Sequence, residues 1–215
     1  MSLLLIGAGP SDGGQSCACS GLQDFTSYTE VDPNSRIVVN SATKITVTQL
    51  PRNEDSRVYY DCACAPADDF DHDLETTCTD SSSDLAIGPF WAVSNVVDDG
   101  YYWAVNNSQA VQCYWYVPYG GASVDIRIYD TEVGASDASV SLSKDTKYYV
   151  TIDRPSATQV RCRIYSDSSR TTLVDTLTDT TTSGRTWDHF FAVNAWNGTP
   201  EGTVSFEVES LHIYA

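Results

Sequence analysis

Alternation with a period of two runs through this chain from end to end, and no other feature restricts its fold as tightly. In "SVDIRIYD", Val124, Ile126 and Ile128 stand on one side of an extended chain, with Asp125, Arg127 and Tyr129 on the other. "KYYVTID" groups Tyr148, Val150 and Ile152, "QVRCRIYS" groups Val160, Cys162 and Ile164, and "TVSFEVES" groups Val204, Phe206 and Val208. Successive side chains of a strand point to opposite faces, so each stretch predicts a strand with one apolar side. Turn chemistry separates the stretches: "DPNS", "LPRNED", "DDG", "PYGG", "DRPS", "SDSS", "TSGR" and "WNGTPEG". No stretch has the period of an amphipathic helix, and there is no tandem repeat and no long linker after residue 21. About a dozen short strands in one domain predict an all-β fold of two packed antiparallel sheets, a jelly-roll-like β-sandwich rather than a small barrel.

Charge narrows the partners. Twelve basic residues against 29 acidic ones give a formal net charge of −17. Such a surface repels phosphate backbones, which argues against nucleic acid. At the N-terminus, "MSLLLIGAGPSDGG" holds an apolar stretch, Leu3 to Ile6, that is too short for a signal-peptide core and has no basic residue before it. The expectation is synthesis in the cytoplasm without a cleavable signal, and no membrane insertion. Residues 1–20 read as an arm or linker and 21–215 as the sandwich. The arm is either a first strand of the same domain or a segment that pairs with a neighbouring subunit or docking protein.

The most concentrated chemistry lies in "DCACAPADDFDHDLETTC", from Asp61 to Cys78. Its second half alternates: Phe70, His72 and Leu74 share one face, and Asp69, Asp71, Asp73 and Glu75 the other. The first set predicts a core face and the second a solvated one. A calcium ion needs six to eight oxygen ligands gathered by a loop. A single strand spreads alternate carboxylates about 6–7 Å apart, so the calcium candidates are Asp68 and Asp69 in the "APADD" turn together with Asp71. Asp98 and Asp99, before Gly100, read as a turn. None of the three histidines has zinc-ligand spacing, and no other cofactor is expected.

Seven cysteines are an odd number for a closed disulfide set. Cys62 and Cys64 share one strand face and suit a second Cys-x-Cys alongside, so Cys17 and Cys19 are the candidate disulfide partners. An all-thiolate zinc site and free thiols are the alternatives. Cys78, Cys113 and Cys162 fall at apolar strand positions and read as small buried hydrophobes. "GYYWAV" and "CYWYV" supply aromatics: Trp115 faces the core, whereas Tyr114 and Tyr116, with Tyr101 and Trp103, are the candidate carbohydrate platform. The competing reading is half-buried tyrosines that support a sheet face or subunit interface. Trp187 and Trp196 read as packing residues, and Asn106 and Asn197 as N-x-S/T sequons.

The C-terminal half, "LSKDTKYYVTIDRP" followed by "TQVRCRIYSDSSRTTLVDTLTDTTTSGRTWDHFFAVNAWN", resembles the concanavalin A-like (laminin G-like) sandwich domains found in bacteriophage structural proteins. "FDHDLE" and "FWAVSN" follow the order of that family's middle strands, and the likeness covers roughly residues 24–215. It implies a concanavalin A-like fold and a virion or other extracellular assembly. It also implies a non-enzymatic decoration, fibre or adhesion subunit, homo-oligomeric or docked to other subunits, that binds cell-surface glycans. The same fold hosts lectins and glucanases. Asp71, Asp73 and Glu75 copy the spacing of the laminarinase-type E-x-D-x-E motif, in which two carboxylates serve as nucleophile and acid/base. Here Asp71 replaces the first Glu and shortens the nucleophile. Three classes therefore stand open: an assembly subunit, a glycoside hydrolase, and a secreted carbohydrate-binding protein.

Overall fold

The computed structural model describes residues 20–62, 70–121, 123–134, 138–185, 187–198 and 202–214. Residues 1–19 of the expected arm lie outside that set. Among the described residues, the strands form two antiparallel sheets. The first runs in the order β13 (Leu173–Thr180), β12 (Gln159–Tyr165), β11 (Tyr148–Ser156), β6 (Asp71–Ser81), β15 (Thr203–Tyr214), β4 (Lys44–Pro51) and β3 (Ile37–Ser41), with β1 (Gly21–Leu22) also paired to β15. The second runs β10 (Ala138–Leu142), β9 (Val124–Asp130), β8 (Ala110–Val117), β7 (Ala86–Ser94), β14 (His189–Val193), β5 (Arg57–Asp61) and β2 (Thr29–Val31).

The two apolar faces read from the alternation close on each other. Val124, Ile126 and Ile128 of the second sheet, and Val150, Ile152, Cys162, Ile164, Val204, Phe206 and Val208 of the first, belong to one buried cluster. Burying these side chains supplies most of the driving force, at roughly 25 cal/mol per Å² of apolar surface. Polar contacts also bridge the sheets. Trp91 Nε1 (β7) donates to His72 Nδ1 (β6) at 3.1 Å, and Trp115 Nε1 (β8) donates to Thr76 Oγ1 (β6) at 3.0 Å. Phe70, His72, Leu74 and Cys78 point inward, as their spacing predicts.

One element departs from the sequence reading. Gly100–Asn106, where no helix is expected, forms a short α-helix, α1. Its ends explain why. Asp99 caps the N-terminus by accepting from the Tyr102 N–H at 2.8 Å, and Asn107 ends it at φ 50°, a left-handed conformation that asparagine tolerates. α1 lies on the outer face of the second sheet, where Trp103 is buried with Ala92, Ala110 and Phe191. Among the described residues no helix is long and apolar enough to cross a membrane.

Candidate functional site

Two loops that lie far apart in sequence meet beside α1. One follows β7 and carries Asp98, Asp99 and Gly100; the other follows β14 and carries Asn194 to Gly198. They meet because β7 and β14 are hydrogen-bonded neighbours. Backbone bonds fasten the loops together: Gly100 N–H to Ala195 O at 2.9 Å and Tyr101 N–H to Trp196 O at 2.8 Å. Asn194 Nδ2 adds a bond to the Asp98 carbonyl at 3.2 Å, and Gly198 N–H anchors the second loop to Arg52 O at 2.7 Å.

This frame presents four side chains together. Asp99 is only 7% exposed; its Oδ1 is taken by the helix cap, and its Oδ2 accepts from Asn197 Nδ2 at 3.2 Å. Burial pushes its pKa up; the bonds from Tyr102 and Asn197 oppose the rise, and the nearby Asp98 and Asp55 carboxylates reinforce it. Tyr101 (45% exposed) and the partly exposed Trp196 stand edge to face, ring centres 6.2 Å apart. Asn197 holds φ 47°, and a β-carbon on Gly198 would come within 2.9 Å of the Trp196 indole, so the loop needs both residue types. Beneath them lies Gln112 of β8: a β-carbon on Gly100 would stand 2.9 Å from its Oε1 and 3.1 Å from the Trp196 ring. A fixed carboxylate, an amide and an aromatic edge form a donor, acceptor and stacking set for a polyhydroxylated ligand.

Apart from Tyr101, the residues singled out from sequence lie elsewhere or play other parts. Asp71, Asp73 and Glu75 share the outer face of β6, as expected. Asp73, however, accepts from Thr151 and Tyr214 and pairs with Arg170, while Glu75 accepts from Lys147 Nζ at 2.9 Å. Lys147 also pairs with Glu209, which itself meets Lys44. Asp71 is the most exposed of the three; partial desolvation of its carboxyl, together with the carboxylates of Asp73 and Asp153, raises its pKa. Two of the three carboxylates, Asp73 and Glu75, thus stand in ion pairs.

The aromatic platform requires correction. Tyr114 points to the outer face of the second sheet, opposite Pro89 in the register, but is only 3% exposed. Trp103 is fully buried, packed edge-on to Phe191 with centres 5.0 Å apart. Tyr116 lies under the Arg127 guanidinium, 3.5 Å from its ring centre. Of the four residues, Tyr101 alone joins the new site. Trp187 is core, as read, but Trp196 is not wholly a packing residue.

Among the described residues no group of three His, Cys, Asp or Glu side chains is set to hold a metal ion. The calcium candidates Asp68 and Asp69 lie outside the described residues, as do Cys17, Cys19 and Cys64. Cys62, buried just after β5, is the one member of that cysteine set among the described residues. Cys78, Cys113 and Cys162 are free and buried; burial pushes the Cys78 thiol up to about 12.

The sequence reading missed Asp99, Asn194, Trp196, Asn197 and Gln112 as site residues. Asp99 and Asn197 stand 98 positions apart, and nothing in a single sequence announces that they touch. The one local signal was the cap: an Asp-Gly pair just before three aromatics is as good a helix start as a turn.

No protein-family model and no curated protein sequence matches the chain. Among solved structures, it is similar to the legume lectin-like domain from Entamoeba histolytica, with a TM-score of 0.55 and 15% identity over 87% of this chain and 89% of that one. It is also similar to lectin II from Ulex europaeus, with a TM-score of 0.48 and 11% identity over 86% and 98%. A third is the carbohydrate-binding module CBM66 from Bacillus subtilis, with a TM-score of 0.45 and 13% identity over 92% and 98%. The likeness is one of fold: two antiparallel sheets in the concanavalin A-like arrangement.

Proposed function

We propose that this concanavalin A-like sandwich is a non-enzymatic glycan-binding protein whose site is formed by Asp99, Tyr101, Trp196 and Asn197. The observation that carries the reading is the Asp99 carboxylate, buried and held in place by Tyr102 N–H and Asn197 beside an accessible aromatic edge. A carboxylate oxygen has two lone-pair sites, so each retains capacity for a sugar hydroxyl, and bonds to an ionised acceptor are the stronger kind. Tyr101 and Trp196 offer apolar surface to the C–H face of the ring. The lectin-like fold of the Entamoeba histolytica domain supports the same reading. The ion-paired state of Asp73 and Glu75 favours binding over hydrolysis.

The resemblance of the sequence to phage structural proteins motivates a wider context, an adhesion or decoration subunit on a virion or extracellular assembly. Display in many copies multiplies a weak single-site affinity. Light scattering on the full chain is expected to give a multimer that shrinks when residues 1–20 are deleted. A strictly monomeric protein at high concentration rules that context out.

The binding reading is tested by screening the full-length protein on a glycan array and titrating the best ligand calorimetrically. Asp99→Asn and Trp196→Ala are each expected to weaken binding about ten-fold or more. A folded protein that binds no glycan on a broad array, or whose affinity both substitutions leave untouched, overturns it.

A further inference from the structure

Gln112, near the middle of β8, is 0% exposed, and neither end of its amide has a hydrogen-bond partner among the described residues. Such groups are scarce because an unpaired buried amide opposes folding, and an apolar residue of the same size would pack there at lower cost. The position of Gln112 suggests why the amide is retained. Its two polar atoms lie 2.9 and 3.3 Å from where a β-carbon on Gly100 would stand, and the Trp196 ring lies 3.1 Å from the same point. The amide is therefore the floor beneath the Asp99–Gly100 turn and the Trp196 indole. The indole Nε1 of Trp196 is a second buried donor without a partner among the described residues. Two of the buried unpartnered side chains thus lie where the proposed binding residues meet.

We propose that Gln112 determines the specificity of the site by reading a hydroxyl of a neutral sugar held between Asp99 and Trp196. The inference rests on the glycan-binding reading and deepens it. A hydroxyl both donates and accepts through one oxygen, so it answers Oε1 and Nε2 together. A carboxylate only accepts, leaves Oε1 unmet, and is repelled by Asp98, Asp99 and a net charge of −17. Because Gln112 is fully buried, this reading requires the Trp196 ring to turn off Gly100, a rotation between staggered side-chain states that a sugar stacked on the turned ring would hold.

The test uses the full-length protein, the neutral saccharide that binds it best, and an analogue of equal size carrying one uronate group. Wild type is expected to favour the neutral ligand by ten-fold or more. In Gln112→Leu, and in the isosteric Gln112→Met should the first fold poorly, affinity for the neutral ligand is expected to fall at least ten-fold. The preference over the uronate is expected to shrink, while the thermal midpoint holds or rises. A folded variant with unchanged affinity, or a wild type that binds both ligands equally, overturns the role of Gln112 and leaves the binding reading standing. Loss of the binding reading itself would show differently, as a wild type that binds no glycan, or as a Trp196→Ala variant that binds as wild type does.

Discussion

His72 and Asp99 are both buried ionisable residues, and pH acts on them in opposite directions. Burial drops the His72 pKa from 6.5 to about 3. The unfolded chain therefore takes up a proton below about pH 6.5 that the folded chain refuses, and stability falls as pH drops from 6.5 toward 3, by about 1.4 kcal/mol per unit from this group. Urea unfolding at pH 7, 5 and 4 should show that loss in wild type and a shallower one in His72→Gln, which keeps an acceptor for Trp91. For Asp99 the folded pKa lies above the ordinary 3.8, so acid protonates the folded form first and this group alone favours folding as pH falls. Its effect on binding is adverse, because the neutral acid loses its charge-assisted bonds. Affinity is expected to weaken as pH falls through the raised Asp99 pKa in wild type and to change less in Asp99→Asn; titrations at several pH values check it. The inward aim of His72 was legible from Phe70 and Leu74 on either side. Its partner was not, because Trp91 comes from the opposite sheet, and alternation within one strand says nothing about what it faces.

Single elements hold their places through contacts of very different strength. The turn after β9 is clamped to the loop after β13: Arg185 donates to both Asp130 oxygens, at 2.6 and 2.9 Å, and reaches Glu132 and Thr182 as well. Both partners of the main pair are buried, so removing one strands the other charge. Arg185→Ala is expected to cost about 3–5 kcal/mol, read from chemical unfolding. On the outer face of β6, by contrast, Lys147 and Glu75 are solvent-accessible, and Glu75→Gln is expected to cost about 1 kcal/mol or less. Reducing-sugar assays on a β-glucan panel are expected to show no release by either wild type or that variant. The core leaves no room at β7: a methyl added to Gly88 would meet Phe206 at 2.6 Å and Val204 at 2.7 Å. Gly88→Ala is expected to lower stability by about 1–3 kcal/mol through overpacking. Strands such as β9, β11 and β12 could be drawn from the sequence because one wet face and one dry face leave a two-residue period. α1 escaped because its seven residues are too few to display a helical period, so its capping residues were read as turn chemistry.

At the scale of the whole molecule, the sandwich follows from the strand pattern, but the site follows from strand order, which the pattern does not contain. Asp99 and Asn197 meet because β14 inserts between β5 and β7. That placement brings the loop after β14 against the loop after β7, about a hundred residues earlier in the chain. The "FDHDLE" carboxylates drew attention for the opposite reason. They are crowded in sequence, yet in space Arg170 and Lys147 pair with two of them, Asp73 and Glu75. The central claim, that the Asp99 cluster rather than the β6 carboxylates meets a sugar, is tested most directly by calorimetric titration of three proteins with one array-identified glycan. Wild type and Glu75→Gln are expected to bind with equal affinity, while Asp99→Asn binds about ten-fold or more weakly. Full affinity in Asp99→Asn, with loss in Glu75→Gln, would contradict the account.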